Sequence, residues 1–154
     1  MIKIMKAKSK DVESVKSLNQ KLFHNDFHFD DTLDVTWPTR NKKYYTDRIK
    51  EKNSLVLIAK NKSDIVGYLI GTIMKNHDNW RKINNLAELE NMLVLEAYRG
   101  QGIGSKMINK FVKWAKSNKV KRARVVASAA NNVAINAYKK NGFDSDNNVM
   151  EMNI

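Results

Sequence analysis

The sequence predicts a single mixed α/β domain, and three observations carry that prediction. Short apolar runs with strand-like alternation are interleaved with segments of helical spacing along the chain. An apolar run, a glycine-rich loop and an amphipathic segment follow one another at residues 89–112. The 154 residues, 42% of them hydrophobic, suffice for one core, and no linker, repeat or low-complexity stretch divides residues 1–154. The same composition excludes a disordered polyelectrolyte, which could not bury enough apolar surface to offset its chain entropy.

Taken in order, Ile2, Lys3, Ile4 and Met5 alternate and open a strand. Ser9 is the expected N-cap of a first helix, with Asp11 and Glu13 in its first turn and Val12, Val15, Leu18 and Leu22 at helical spacing. That helix should fray into residues 23–38, aromatic and acidic, where Trp37-Pro38 opposes further helix. Residues 39–52 read as a second helix, with Tyr44, Tyr45, Arg48 and Ile49 giving it a partly apolar side. Residues 54–59 and 65–74 are strongly apolar and joined by Asn61, Lys62, Ser63 and Asp64, a hairpin signal. A polar connection, residues 76–85, leads to a strand at residues 87–95. After the glycine loop a helix runs to about Asn118, with Ile103, Met107, Ile108, Phe111, Val112 and Ala115 as its buried stripe and Lys106, Lys110 and Lys113 on its wet face. A strand at 123–129, a helix at 132–140 closed by Asn141-Gly142, and an alternating strand at 149–154 complete the chain.

The chain carries 28 Lys and Arg against 16 Asp and Glu, a net +12. The excess is local: residues 97–143 hold eleven positive residues and no acid. Residues 22–39 show the reverse bias, with Asp26, Asp30, Asp31 and Asp34 and neither Lys nor Arg. A single charge mostly marks solvated surface, but this segregation points to one anionic and one cationic ligand. The absence of Cys excludes disulfides, thiolate metal sites and a Cys nucleophile. No apolar run approaches the roughly 20 residues of a membrane span, and the first ten residues lack a signal peptide's apolar stretch, so a soluble, cytoplasmic chain is expected.

The loop Gly100-Gln101-Gly102-Ile103-Gly104 precedes a helix, whose unpaired N-terminal amides and dipole suit an anion. Its spacing rejects two phosphate loops: Ser105 stands where a P-loop and a dinucleotide fingerprint each require glycine. The triplet alone also fits a plain tight turn. With Arg99, however, the loop reproduces the Arg/Gln-x-x-Gly-x-Gly/Ala signature of the GNAT superfamily of N-acetyltransferases. Residues 87–94 resemble that family's fourth strand, and Asn131, Ala134, Tyr138, Gly142 and Phe143 match its second motif, Asn-x-x-Ala-x-x-x-Tyr-x-x-x-Gly-Phe. The match is close over residues 55–154 and rests on element order alone before that.

The resemblance implies a mixed, mostly antiparallel central sheet with helices on both faces and a splay between the fourth and fifth strands. It implies acetyl-CoA as co-substrate, no metal, and direct transfer of the acetyl group to a primary amine. The amides of Gly100, Gln101, Gly102, Ile103, Gly104 and Ser105, with Arg99, would hold the pyrophosphate. Met92, Leu93 and Val94 would pair by backbone with the pantetheine arm, an amide at a bulge near Val94 would polarise the thioester, and Asn131 would touch the coenzyme or cap its own helix. Tyr138 matches the family's general acid. Glu90, narrowly ahead of Glu88, matches its general base; two apart on a strand, they share a face unless a bulge intervenes. The position of a third family base is Val126.

The aromatic and acidic residues 23–31 suggest an acceptor that is a cationic small molecule or a peptide amine. His24 and His28, four apart, have no third metal ligand in view and read as surface or pocket residues. A homodimer fits the resemblance, though no interface is legible. Two other readings stand beside the enzyme: a CoA-binding domain of this fold without catalysis, and a basic nucleic-acid-binding module. The basic stretch has no regular aromatics for base stacking, which speaks against a nucleic-acid partner. No membrane partner is expected.

Overall fold

Leu55, Leu57 and Ala59 face one side of the sheet and Val56 and Ile58 the other, and all five are buried. Burial on both faces is why β2 (Ser54–Asn61) reads as an unbroken apolar run rather than an alternating one. In this computed structural model, which describes residues 1–77 and 79–154, five strands form one sheet in the order β1-β2-β3-β4-β5. The others are β1 (Ile2–Lys6), β3 (Asp64–Met74), β4 (Leu86–Val94) and β5 (Ala123–Val125). The first three pairings are antiparallel and β4–β5 is parallel. The expected hairpin is present, with Asn61 paired to Asp64 and Lys62 at φ +54° in the turn.

Helices cover both faces. α1 (Val12–Asp26) and α3 (Lys42–Lys50) pack Val12, Val15, Leu18 and Tyr45 against Val56, Ile58, Tyr68 and Ile70. Asn19, fully buried, ties this layer together: its Nδ2 donates to Tyr68 Oη (2.7 Å) and its Oδ1 accepts from Tyr45 Oη (2.6 Å). On the opposite face lies α4 (Ile103–Ser117), with Ile103, Met107, Ile108, Phe111 and Ala115 buried as the spacing predicted. Tyr138 of α5 (Asn132–Lys140) and the following Phe143 join the same core.

Four local expectations change. The first helix is preceded by a short 3-10 turn, Ser9–Asp11, and the carboxylate of Asp11 rather than Ser9 takes up an orphan amide there, that of Lys8, at 2.8 Å. The second helix is two: α2 (Trp37–Arg40), which tolerates Pro38 in its first turn, then α3 after a break at Asn41, whose Nδ2 donates to Trp37 O (2.8 Å). β5 stops at Val125 instead of continuing to residue 129. Residues 149–154 form no strand; alternation makes a strand only with a neighbour to pair with, and Val149, Met150, Met152 and Ile154 are exposed. Residue 78, inside the expected connection at 76–85, lies outside the described residues.

Candidate active site

The site is organised by β4. Ile70 of β3 pairs with Asn91 and Gly71 with Leu89, so Glu90 is an extra residue, a β-bulge. The parallel register with β5 ends at the same place, Leu89 opposite Val125. Beyond it Glu90, Asn91, Met92, Leu93 and Val94 have no strand on the β5 side among the described residues, which is the splay between the fourth and fifth strands. The bulge expected near Val94 is therefore at Glu90, and Val94 sits in regular register with Gly67. Met92 packs on the α4 side and lies near Gly104, while Leu93, 6% exposed, faces α1.

At the end of β4 the chain turns into the glycine loop. Gly100 (φ +76°) and Gly102 (φ +72°) take left-handed conformations, and nothing lies within 4 Å of where a Cβ would stand at either. Their glycine identity thus answers to backbone conformation rather than to crowding. Among the described residues none of the amides from Gly100 to Ser105 donates to a backbone carbonyl; the first to do so is Lys106, to Gly102 O at 3.0 Å. A run of free amides ending on a fifteen-residue helix is an anion receptor. The Ile103 side chain is buried, so only its amide can serve there, and Arg99 Nε donates to Val94 O (3.0 Å), bracing loop against strand.

Tyr138 packs its ring edge-on to Phe143, centroids 5.8 Å apart. Burial, then the charge of Asp26, pushes its phenol up from 10.0 to about 12. Asn131 caps α5, its Oδ1 accepting the Ala134 amide at 3.1 Å. The two carboxylates share the face turned towards α1 and α3, because Ala87 and Leu89, which alternate with them along β4, pack on the α4 side. Each is engaged. Glu88 accepts from Arg124 Nε (3.0 Å) on β5. Glu90 accepts from the Tyr44 hydroxyl and from Arg48 Nε (3.1 Å) and Nη2 (2.9 Å) of α3. Beside them Asn91 Nδ2 reaches Tyr44 Oη (3.1 Å), while its Oδ1 is buried without a partner among the described residues. Burial and the adjoining Glu90 charge push the Tyr44 phenol far up, so it stays a donor.

The sequence did not single out Tyr44, Arg48 or Asn91 as site residues; the four-residue spacing of Tyr44 and Arg48 on one helix was the available signal. Asp26 likewise stood only as one of four acids. His24 lines a small cavity of about 250 Å3 with Asn25, Leu93, Leu95 and Arg99, whereas His28 lies past the end of α1. Among the described residues no three His, Cys, Asp or Glu side chains cluster as metal ligands.

The sequence model of the Acetyltransferase (GNAT) family matches residues 19–143. An N-alpha-acetyltransferase of Sulfurisphaera tokodaii is 27% identical over 104 residues, 65% of this chain; the alignment spans 62% of that relative's length. A variant of the BH1408 protein from Bacillus halodurans superposes with a TM-score of 0.88 at 19% identity over 99% of each chain. AAC(6')-Iy, an aminoglycoside N-acetyltransferase solved with the bisubstrate analogue CoA-S-monomethyl-acetylneamine, gives a TM-score of 0.80 at 15% identity, covering 100% of this chain and 98% of that one. These two likenesses show the fold, and the mixed sheet with its helical layers is the fold expected from the motifs.

Proposed function

Because the chain belongs to the Acetyltransferase (GNAT) family, we propose that it moves an acetyl group from acetyl-CoA to a primary, cationic amine by direct attack in a ternary complex. One observation carries the reading: the unpaired stretch of β4 leads, through a 3-10 turn at Glu96–Tyr98, to the free amides at the start of α4, with the half-buried ring of Tyr138 packed on the α4-side core. Coenzyme A has a peptide-like arm and a charged pyrophosphate, and these two features match an open strand edge and an amide nest. The backbone of Met92, Leu93 and Val94 holds the arm; the amides of Gly100 to Ser105, with Arg99 and Gln101 in the loop, hold the phosphates; Asn131 sits at the coenzyme's flank.

The amine nitrogen attacks the thioester carbonyl carbon, the C–S bond breaks, and the departing thiolate takes a proton from Tyr138, whose phenolate is reprotonated as the new amide nitrogen sheds its extra proton. The incoming ammonium must first lose a proton. Glu90 takes it through water, with Glu88 the alternative. Asn91 Oδ1, which has no partner among the described residues, accepts from the amine beside Glu90. The acceptor, small molecule or peptide, enters past the acidic residues that follow α1, and the reaction is cytoplasmic.

A second reading, CoA binding without catalysis, draws on one fact: both carboxylates are already held by arginines. Thiol release from acetyl-CoA across a panel of amines separates the two. We expect release with polyamines, aminoglycosides or peptide amines, lowered about 100-fold in Tyr138→Phe and Glu90→Gln. Equal rates in Tyr138→Phe, Glu90→Gln and Glu88→Gln reject the mechanism. Coenzyme binding without amine-dependent release across the panel favours the second reading, and a preference for neutral or anionic amines rejects the cationic acceptor.

A further inference from the structure

Positive charge gathers a second time, at the opposite end of the sheet order from β5. A concavity of about 460 Å3 at the β1 edge of the sheet is lined by Lys3, Lys6, Lys8, Lys10, Lys60 and Lys62. None of the six forms an ion pair among the described residues. The one acid in the lining, Asp11, is 6% exposed and its carboxylate accepts the Lys8 amide. Lys3 and Lys60 stand directly opposite on paired strands, an arrangement that destabilises the sheet when nothing neutralises it.

The same edge offers unpaired backbone. β1 is the end strand, with β2 as its neighbour in the sheet. Ala7 N donates to Val56 O (2.9 Å), so antiparallel alternation turns the amides and carbonyls of Lys3 and Met5 inward and leaves those of Ile2, Ile4 and Lys6 facing outward. Met5, 42% exposed, adds apolar contact inside the concavity. A second copy's β1 would bring its own lysines against these and be repelled.

We propose that β1 and its lysine-lined concavity dock an extended, Asp- and Glu-rich segment of a partner protein, which adds to the sheet as a strand outside β1. Backbone pairing supplies the strand, and alternate carboxylates reach the lysines. The lining holds no Arg and no aromatic ring, the groups that stack nucleic-acid bases, and a concave face does not lie flat on a bilayer. Two strands separate β1 from β4, so this docking stands whether or not the chain transfers acetyl groups.

Fluorescence anisotropy of a labelled peptide of alternating Glu and Val, titrated with the intact chain, tests it. Binding should weaken with salt and fall by more than about tenfold in Lys3→Glu/Lys60→Glu/Lys62→Glu, with a smaller loss in the milder Lys3→Gln/Lys62→Gln. Lys50→Glu/Lys52→Glu, near the other end of β2, should leave it unchanged. Amide exchange at Ile4 and Lys6 should slow on peptide addition. Equal binding of a Gln and Val peptide, indifference to the Lys3, Lys60 and Lys62 variants, or absence of that protection overturns the proposal. So does tighter binding of an oligouridylate, or of vesicles of phosphatidylserine and phosphatidylcholine in equal parts.

Discussion

Asp26 shows what one residue's position adds to a composition argument. It lies seven residues after buried Asn19 and four after Leu22, which packs on the same core, so the helical repeat turns it inward at the last turn of α1. Its side chain has no hydrogen bond or ion pair among the described residues, and burial raises its pKa. A carboxylate in that setting gains most from a cation supplied by a ligand. Asp26→Asn should therefore raise KM for cationic amines about tenfold with little change in kcat, and leave a neutral amine's KM alone. The same substitution has a second readout with a definite sign. The Asp26 charge opposes ionisation of Tyr138, so removing it should move Tyr138 phenolate formation to lower pH from about 12. A Tyr138 titration that stays put in Asp26→Asn would show that the two groups do not face each other.

Among the elements, α4 depends on two glycines for different reasons. A Cβ at Gly71 of β3 would stand 2.5 Å from Phe111 Cε2, so Gly71→Ala should displace a fully buried ring and cost about 1–3 kcal/mol, seen as a lower urea midpoint. At Gly102 there is space but the backbone is left-handed, and Gly102→Ala should cost about 1–2 kcal/mol and weaken CoA binding by rerouting the amides. Gly104→Ala meets only Met92 Cε at 3.8 Å and should leave stability nearly unchanged. The α4 stripe, the β2 run and the hairpin were legible in the sequence because each is a local repeat. The shortened β5 and the partners of the two glutamates were not. They follow from the bulge at Glu90 and from pairs 42 and 36 residues apart, Arg48–Glu90 and Arg124–Glu88, which no local pattern encodes. The loop and Tyr138 were readable as motifs; that both candidate bases are held by arginine needed the fold.

For the molecule as a whole, positive charge concentrates in two regions, one around α4 that holds nearly all of the net +12 and one at the β1 edge. In the first, Arg124 is committed to Glu88 and Arg99 gives only its Nε to a carbonyl, whereas Lys106, Lys110 and Lys113 are exposed and make no ion pair among the described residues. Exposed lysines on flexible stems act as a field more than as contacts, so they should govern how fast an anion arrives rather than how long it stays. Raising ionic strength from about 0.02 to about 0.5 M should slow CoA association by roughly tenfold and change dissociation little, because the Debye length shrinks below the distances over which those lysines act. Pantetheine, which lacks the phosphates, should show no such slope. Lys106→Gln/Lys110→Gln/Lys113→Gln should flatten the slope for CoA while leaving its dissociation rate intact, since the amides of the glycine loop remain. Stopped-flow binding separates the two rates. A salt effect confined to dissociation would instead place these lysines in direct contact with the phosphates, and the α4 surface would then belong to the binding site itself.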